Sequence, residues 1–312
     1  MAITAQQVKE LRELTDCGIM DCKKALTESD GDIEKAKAWL REKGMAKAEK
    51  KSTRVAAEGA VASVIADDGK SGCLVEVNVE TDFAANTDKF KNFVNAIGAQ
   101  IMATKPADID ALKASALYND ASKTVEVFTK EAIADISENV SVRRFAQYEV
   151  SANGAVASYI HAGGKVGVLV EFAVADESVI TSDAFKAFAK DIGMQIAASN
   201  PTWVAQADVP QEEIDKEVAI ITNKALEEGK PEKIIADRIV PGQIKNFYKI
   251  NVLEDQEFVK DDEKTVAQYI ASASKDLGTE ISVVRFTNYK LGEGIEKKED
   301  DFAAEVMKQA GL

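Results

Sequence analysis

Apolar positions along the chain keep two periods, and the segments that carry them occur twice. From position 73 to 80 the residues alternate: Cys73, Val75, Val77 and Val79 share one side, and Leu74, Glu76, Asn78 and Glu80 the other. Val168, Val170, Phe172 and Val174 alternate in the same way further on. A period of two predicts strands with one face in and the other largely out. Asp67-Asp-Gly-Lys70 and Ala162-Gly-Gly-Lys165 precede these strands and read as hairpin turns. The period then becomes helical, with Phe90, Phe93, Ile97 and Ile101 on one stripe. Further helix is expected over 122–136, and a third strand over Val140–Glu149.

The repetition is literal. Gly59-Ala-Val-Ala-Ser63 returns as Gly154-Ala-Val-Ala-Ser158, and Leu74-Val-Glu76 as Leu169-Val-Glu171. Phe90, Phe93, Ile97, Gly98, Gln100, Ile101 and Pro106 return as Phe185, Phe188, Ile192, Gly193, Gln195, Ile196 and Pro201. Every pair is 95 positions apart, which marks two copies of one packed unit. The copies differ most just before the shared helix, where Glu80-Thr-Asp-Phe-Ala84 faces Ala175-Asp-Glu-Ser-Val179 and the aromatic is gone. Val140-Ser-Val-Arg-Arg-Phe145 also returns, as Ile281-Ser-Val-Val-Arg-Phe286, but 141 positions on. Copy two therefore holds an insertion of 46 residues between Pro201 and Ile281. Within it Ile214, Val218, Ile221 and Ala225 have the spacing of a narrow coiled-coil seam. After the turn Gly229-Lys-Pro231, a second helix carries Ile234, Ile235, Ile239 and Val240 until Pro241-Gly242 interrupts it. Such a helical hairpin, at about 208–255, either projects as an arm or folds back on the core.

Residues 4–44 read as three short helices. Thr4 and Gln7 form a capping box ahead of Val8, Leu11 and Leu14. Gly18 opens a second helix, with Ile19, Cys22, Ala25 and Leu26 at helical spacing. Asp32 caps a third, with Ile33, Ala36, Trp39 and Leu40 inward and Gly44 at its end. Forty residues barely fill a core, which suits a small adaptor that docks through some of its own apolar surface. Residues 43–54 read as a linker, partly helical at most. At 300–308 a last short helix would carry Phe302 and Val306 on one side.

The fold class is therefore α+β. The expected domains are a three-helix module with linker at 1–54, core copy one at 55–144, core copy two with its inserted hairpin at 145–290, and a C-terminal helical module at 291–312. Both core copies should contain antiparallel sheets.

Composition narrows the function. A chain of 312 residues, 46% hydrophobic and 29% charged, is ordinary for a globular protein with two or three domains. No apolar run approaches the ~20 residues of a membrane span. Met1-Ala-Ile-Thr4 lacks the look of an export leader, and three cysteines fit a reducing compartment, so a cytoplasmic protein is expected. Net charge is −14, which argues against direct nucleic-acid binding. Residues 1–54 hold 12 Lys/Arg against 10 Asp/Glu, so the acidity lies in the remainder. The basic run of Lys43, Lys47, Lys50, Lys51 and Arg54 is either a solvated linker or a docking strip for an acidic partner.

Catalytic chemistry is hard to assemble. His161 is the only histidine, at an expected hairpin tip with no hydroxyl or thiol placed to pair with it. Cys17 and Cys22, both expected on a helix, have no second pair to complete a zinc site. Neither a Gly-rich phosphate loop ending in Gly-Lys-Ser/Thr nor a Gly-x-Gly-x-x-Gly after a strand is present. No cofactor and no metal are expected, and an enzyme is the disfavoured reading. A second alternative is an adaptor whose three-helix module binds ubiquitin-like surfaces.

Set in order, the motifs resemble the bacterial elongation factor Ts family over essentially the whole chain. The opening Leu11-Arg-Glu-Leu-Thr15, Gly18-Ile-Met-Asp-Cys-Lys-Lys-Ala-Leu26 and Gly31-Asp32 are similar to its N-terminal signature, and Glu80-Thr-Asp-Phe83 resembles its second. Gly229-Lys-Pro231, Phe258-Val259, Lys264-Thr-Val266, Gly292-Glu-Gly-Ile-Glu296 and Asp301-Phe-Ala-Ala-Glu305 fall where that family has them. Each is short; their order makes the likeness specific.

The resemblance implies a non-enzymatic guanine-nucleotide exchange factor that binds elongation factor Tu in its GDP-bound and nucleotide-free states. It implies a ubiquitin-associated-like N-terminal module and a C-terminal docking module. Thr81, Asp82, Phe83 and Ala84 would form the loop that disturbs the partner's Mg²⁺, with Phe83 as the wedge and Asp82 fixing the loop and engaging polar groups. Otherwise Phe83 caps the core of its own subdomain. Leu11, Ile19, Met20 and Lys23 would dock the N-terminal module, although Leu11 also suits that module's core. His161, Ile136 and Phe302 complete the implied contacts, and His161 alternatively is a plain turn residue. Ser137 stands where the family has Gly, and Ala84 is smaller than the residue that usually follows the Phe. Whether the hairpin meets a second copy, as a homodimer, or another protein stays open.

Overall fold

The structure, a computed structural model, describes residues 3–15, 17–150 and 153–296. The expected tail helix at 300–308, Phe302 included, lies outside the described residues.

The described chain falls into two compact units. The first comprises the chain up to Val61, Val75–Phe145 and the segment from Lys290; the second comprises Ala62–Leu74 and Ala146–Tyr289.

The first unit opens with α1 (Ala5–Thr15), α2 (Ile19–Glu28) and α3 (Ile33–Lys51). Their starts follow the expected chemistry. Gln7 and Thr4 exchange hydrogen bonds through Gln7 Oε1 (3.0 Å) and Thr4 Oγ1 (3.3 Å), and Asp32 Oδ1 accepts the Lys35 N–H at 3.0 Å. Val8, Leu11, Cys22, Ala25, Leu26, Ala36 and Leu40 close the small core. Cys17 lies in the connection before α2, not on a helix. Leu14, expected inward, is exposed.

Gly44 does not end α3. The helix runs two further turns, burying Ala48, and Gly44 is where another helix crosses it: a Cβ there would sit 3.2 Å from that of Ala134. The basic run at 43–54 is thus mostly the end of a packed helix. Its Lys51 donates to the carbonyl of Ser137, and Arg41 pairs with Glu131 at 3.0 Å.

Next come β1 (Glu58–Ile65), β2 (Ser71–Val79), α4 (Asp82–Ala85), α5 (Asp88–Thr104), α6 (Ile109–Ala114), β3 (Ala116–Leu117), β4 (Asp120–Thr124), α7 (Val125–Ile136) and β5 (Val140–Glu149). A three-stranded sheet takes the order β1-β2-β5. The α5 stripe of Phe90, Phe93, Ile97 and Ile101 is buried, with Phe93 against Phe128 of α7 at a 5.1 Å ring separation.

One face of β2 departs from expectation. Glu76 and Asn78, read as facing out, are buried. Glu76 survives there because its carboxylate is fully engaged. It accepts from Arg143 (2.9 Å) and Arg144 (2.6 Å) of β5, and from the Gly292 N–H (2.8 Å) of the segment lying over the strand. Gly292 fits only as glycine: its φ is +70°, and a Cβ would meet the Ala57 carbonyl oxygen at 2.6 Å.

The second unit repeats the plan. It holds β6 (Gly154–His161), β7 (Val166–Val174), α8 (Asp183–Ser199), α9 (Gln211–Glu227), α10 (Glu232–Ile234), α11 (Val240–Asn251), β8 (Glu257–Phe258), β9 (Asp261–Thr265), α12 (Val266–Leu277) and β10 (Ile281–Lys290). The sheet order is β10-β7-β6, and β6 and β7 are antiparallel. Phe172, Phe185, Phe188, Ile192 and Ile196 anchor its core.

Both copies lock a small bulged hairpin to the long helix by one buried glutamine. Gln100 donates to the Ala116 carbonyl (2.9 Å) and accepts from the Tyr118 N–H (2.8 Å). Gln195 does the same with Glu257 (3.2 Å) and Val259 (2.8 Å), again 141 positions on. A fully buried amide is tolerated because its donor and acceptor are both used.

The insertion is helical as expected, but Pro241-Gly242 does not break it. Helix continues from Glu232 to Asn251 through a π-helical turn at Ile235–Ile239. The widened turn accommodates a ring that lacks an N–H and would otherwise crowd the preceding turn. The hairpin's base is closed by Thr202 and Trp203 N–H groups on the Asn251 carbonyl, at 2.8 and 3.1 Å.

Two outcomes follow. Glu76 is held below the ordinary carboxylate range: burial opposes its charge, but the Gly292 N–H and the guanidiniums of Arg144 and Arg143 outweigh it. Its contribution is therefore complete above about pH 4.3 and lost as pH falls through the depressed value. Glu76→Gln should cost about 3 kcal/mol at pH 7 in urea denaturation, and its deficit should shrink in acid. Separately, Ser137 (φ 69°, ψ 13°) and Gly278 (φ 69°, ψ 19°) end α7 and α12 in the same left-handed conformation. Nothing lies near the site of a Cβ at Gly278. Ser137→Gly should stabilise and Gly278→Ser destabilise, each by about 0.5–1 kcal/mol.

Candidate functional site

The unusual surface feature of the first unit is the turn after β2. Val79 is fully buried, and four residues later Phe83 is 84% exposed. A large aromatic left in water on an ordered turn contributes nothing to its own fold and is a candidate docking position. Phe83 therefore does not cap its own core; that role falls to Phe90.

The turn is built by caps. Thr81, extended at φ −126° and ψ 155°, accepts the Ala84 N–H on its hydroxyl at 3.2 Å. The Thr87 hydroxyl donates to the Ala84 carbonyl (2.7 Å) while Thr87 also caps α5. Asn86 Nδ2 donates to the Asp82 carbonyl at 2.9 Å. Ala84 is buried, so its small methyl underlies the turn and does not face a partner.

The α7–β5 turn clamps this one from the side. Glu138 accepts the Thr81 N–H at 2.9 Å on one carboxylate oxygen and the Thr81 hydroxyl at 2.8 Å on the other. In return Glu80 accepts the Asn139 N–H at 2.6 Å and pairs with Arg54 at 3.4 Å. Asn139 Nδ2 donates to the carbonyls of Arg54 (2.7 Å) and Ser52 (3.3 Å). The family resemblance implied that Asp82 fixes the loop. Among the described residues, its exposed carboxylate has no hydrogen bond, and Thr81 with Glu138 does the fixing. Ile136, half-buried at the end of α7, stands two residues before Glu138.

In copy two the equivalent turn is capped differently. Asp176 caps its own short helix by accepting the Ser178 N–H at 2.9 Å, a bond that lowers its pKa. The Asp176 N–H is taken by a single acceptor, Thr279 Oγ1, at 2.8 Å. Ser178 stands where copy one has Phe83.

A second apolar patch flanks the α1–α2 connection. Met20 is 75% exposed and Ile19 55%, with Lys23 also exposed on α2. Leu14 joins them at the end of α1; its spacing from Leu11 looked like core, so the pattern gave no signal. Leu11 is the correction in the other direction. It is fully buried and has no surface to offer a partner.

His161 belongs to the second unit and is exposed as the last residue of β6, paired with Val166. Its Nδ1 hydrogen-bonds the Tyr159 hydroxyl at 3.0 Å, and the two rings stack at 5.9 Å. Tyr159 is placed in turn by Gly193, where a Cβ would meet Tyr159 Cβ at 2.6 Å. Among the described residues, no cluster of three His, Cys, Asp or Glu could hold a metal ion, and no helix is long and apolar enough to cross a membrane.

Comparison with known proteins agrees with the motif order. A family model described as Elongation factor TS matches residues 80–293. Elongation factor Ts of Trichlorobacter lovleyi is 48% identical over 312 residues, covering 100% of both chains. Elongation factor Ts of Clostridium perfringens is 47% identical, and that of Halothermothrix orenii 48%, each over 309 residues and 99% of both chains. Identity of this level along the full length, with a family match that starts at the clamped turn, shows that the chain belongs to the elongation factor Ts family of translation elongation factors.

Proposed function

We propose that the chain is the guanine-nucleotide exchange factor for elongation factor Tu, and that it works by insertion of Phe83. The observation that carries this reading is the 84% exposure of Phe83 on a turn held from two sides. An aromatic ring is large, rigid and has little rotamer entropy to lose, which suits a wedge. GDP is held by its phosphates and by Mg²⁺, an ion that demands near-ideal octahedral oxygen geometry. A ring pushed between the elements that support this shell weakens it, GDP leaves, and GTP can bind. Asp82, its carboxylate uncommitted, meets polar groups of the partner beside the ring.

The remaining contacts share the work of binding. Ile19, Met20, Lys23 and Leu14 form the docking patch of a ubiquitin-associated-like module. Ile136 borders the wedge, and His161, oriented by Tyr159, meets the partner from the second unit. Phe302 docks with the C-terminal module. The inserted hairpin is a coiled-coil arm, and Ile220, Leu226, Ile234 and Ile250, all exposed, are the side chains through which a second copy would pack. The protein acts in the cytoplasm, forms no covalent intermediate and needs no cofactor or nucleic-acid contact. Linkage fixes the energetics: a factor that lowers nucleotide affinity is itself displaced by nucleotide to the same extent. It accelerates equilibration, and excess GTP sets the direction.

Stopped-flow release of fluorescent GDP from elongation factor Tu tests this. The chain should accelerate release. Phe83→Ala should remove about 2 kcal/mol of the effect, roughly a 30-fold slower stimulated release, with Tm shifted by no more than about 2 °C because the ring is solvated. Unchanged release by the variant would end the wedge role.

A further inference from the structure

We propose that Glu138 is a positioning residue, which sets the direction in which Phe83 leaves the turn and influences nucleotide release only through that ring. The inference rests on the exchange-factor reading. Glu138 was not singled out by any motif.

The geometry supports a role beyond folding. The two Glu138 oxygens take two donors of one residue, the Thr81 N–H and hydroxyl, so Thr81 can neither slide nor rotate freely. The same hydroxyl accepts the Ala84 N–H. Phe83 is thus bracketed on both sides by a chain of bonds that begins at Glu138. The base of that chain is held as well: Lys51 donates to the Ser137 carbonyl, and Glu80 returns the clamp to Asn139.

The duplication supplies the control. Copy two makes the same strand-to-helix joint with Thr279 in place of Glu138, one hydrogen bond in place of two, Ala175 in place of Glu80, and Ser178 in place of Phe83. There the Thr279 hydroxyl and the Ala175 N–H on the Glu280 carbonyl (3.0 Å) hold the joint without either carboxylate. The carboxylates of Glu80 and Glu138 occur only in the copy that carries the ring. Two charge-assisted bonds to one residue are also the stronger and more directional arrangement.

The experiment is a double-mutant cycle on the full chain, read as maximal stimulated GDP release from elongation factor Tu. Glu138→Thr installs the copy-two side chain at this position. Alone, it should lower the maximal rate about tenfold, with less than a threefold change in the factor concentration giving half-maximal stimulation. Added to Phe83→Ala, it should change the rate by less than about twofold, because its target is gone. Backbone ¹⁵N relaxation should show the Phe83 order parameter falling from about 0.85 to below about 0.6 in Glu138→Thr. Glu138→Gln keeps the length and one acceptor oxygen. It should give the same pattern at about threefold, and it serves if the threonine variant melts early. A tenfold loss in both backgrounds would overturn the proposal, since Glu138 would then act independently of the ring. So would full activity of Glu138→Thr alongside an impaired Phe83→Ala, an outcome that leaves the exchange-factor reading standing. Unchanged release by Phe83→Ala would strike at the wedge reading itself.

Discussion

Two turns of this protein exchange carboxylates, and the presentation of the exposed Phe83 ring depends on that exchange. Glu80 reaches from the end of β2 to the backbone of Asn139, while Glu138 reaches back to Thr81. Each bond joins an ionised acceptor to a backbone or hydroxyl donor, a class worth roughly 1.5–3 kcal/mol when well made. Without such ties, a solvated benzyl group on a short turn would fold down onto the nearest apolar surface. With them, the ring stays in water while the backbone beneath it is fixed. The rest of the first unit serves this arrangement: α5 and β2 bury the base of the turn, and α3 braces the opposite side.

The duplicated core explains how such a feature can exist at little risk to folding. Structure common to both copies lies in buried, satisfied groups. Gln100 and Gln195 hold equivalent hairpins, and Ser137 and Gly278 close equivalent helices with the same dihedral angles. What differs lies at the joints. Glu76 is buried under two arginines and Gly292, whereas its counterpart Glu171 pairs with Arg285 at 2.7 Å, with Val284 in place of the second arginine. Two carboxylates tie the joint of copy one, whereas a threonine hydroxyl, a backbone bond and the local Asp176 cap serve copy two.

Much of this could be read from the residues in advance, because it depends on local periodicity. The offsets of 95 and 141 placed both sheets and the insertion, and Val140–Glu149 was expected at its observed bounds. The failures share a cause. Glu76 was placed outside because alternation records polarity and cannot see arginines 67 and 68 positions further on. Gly44 was read as a helix end because its crossing partner, Ala134, is 90 positions distant. Leu14 and Leu11 have the same spacing logic and opposite burial, since nothing in one helix says where its neighbours stop. Pro241 was read as a break because a π turn leaves no mark in a 3.6-residue pattern. At the site, Phe83 was legible from its absence in copy two, but Glu138 was not, since only the folded chain brings position 138 to position 81.

The continuous α3 has a consequence for recognition. A three-helix module on a loose tether would search its volume afresh after each first contact, and every docking event would bear the entropy of closing that tether. Here the helix that ends the module lies against α7, and α7 leads directly into the turn that grips Thr81. For any partner that meets both Met20 and Phe83, capture by the first delivers the second at a set distance. Avidity then comes from stiffness in place of linker length, and a flexible insertion near Gly44 would weaken both ends without touching either.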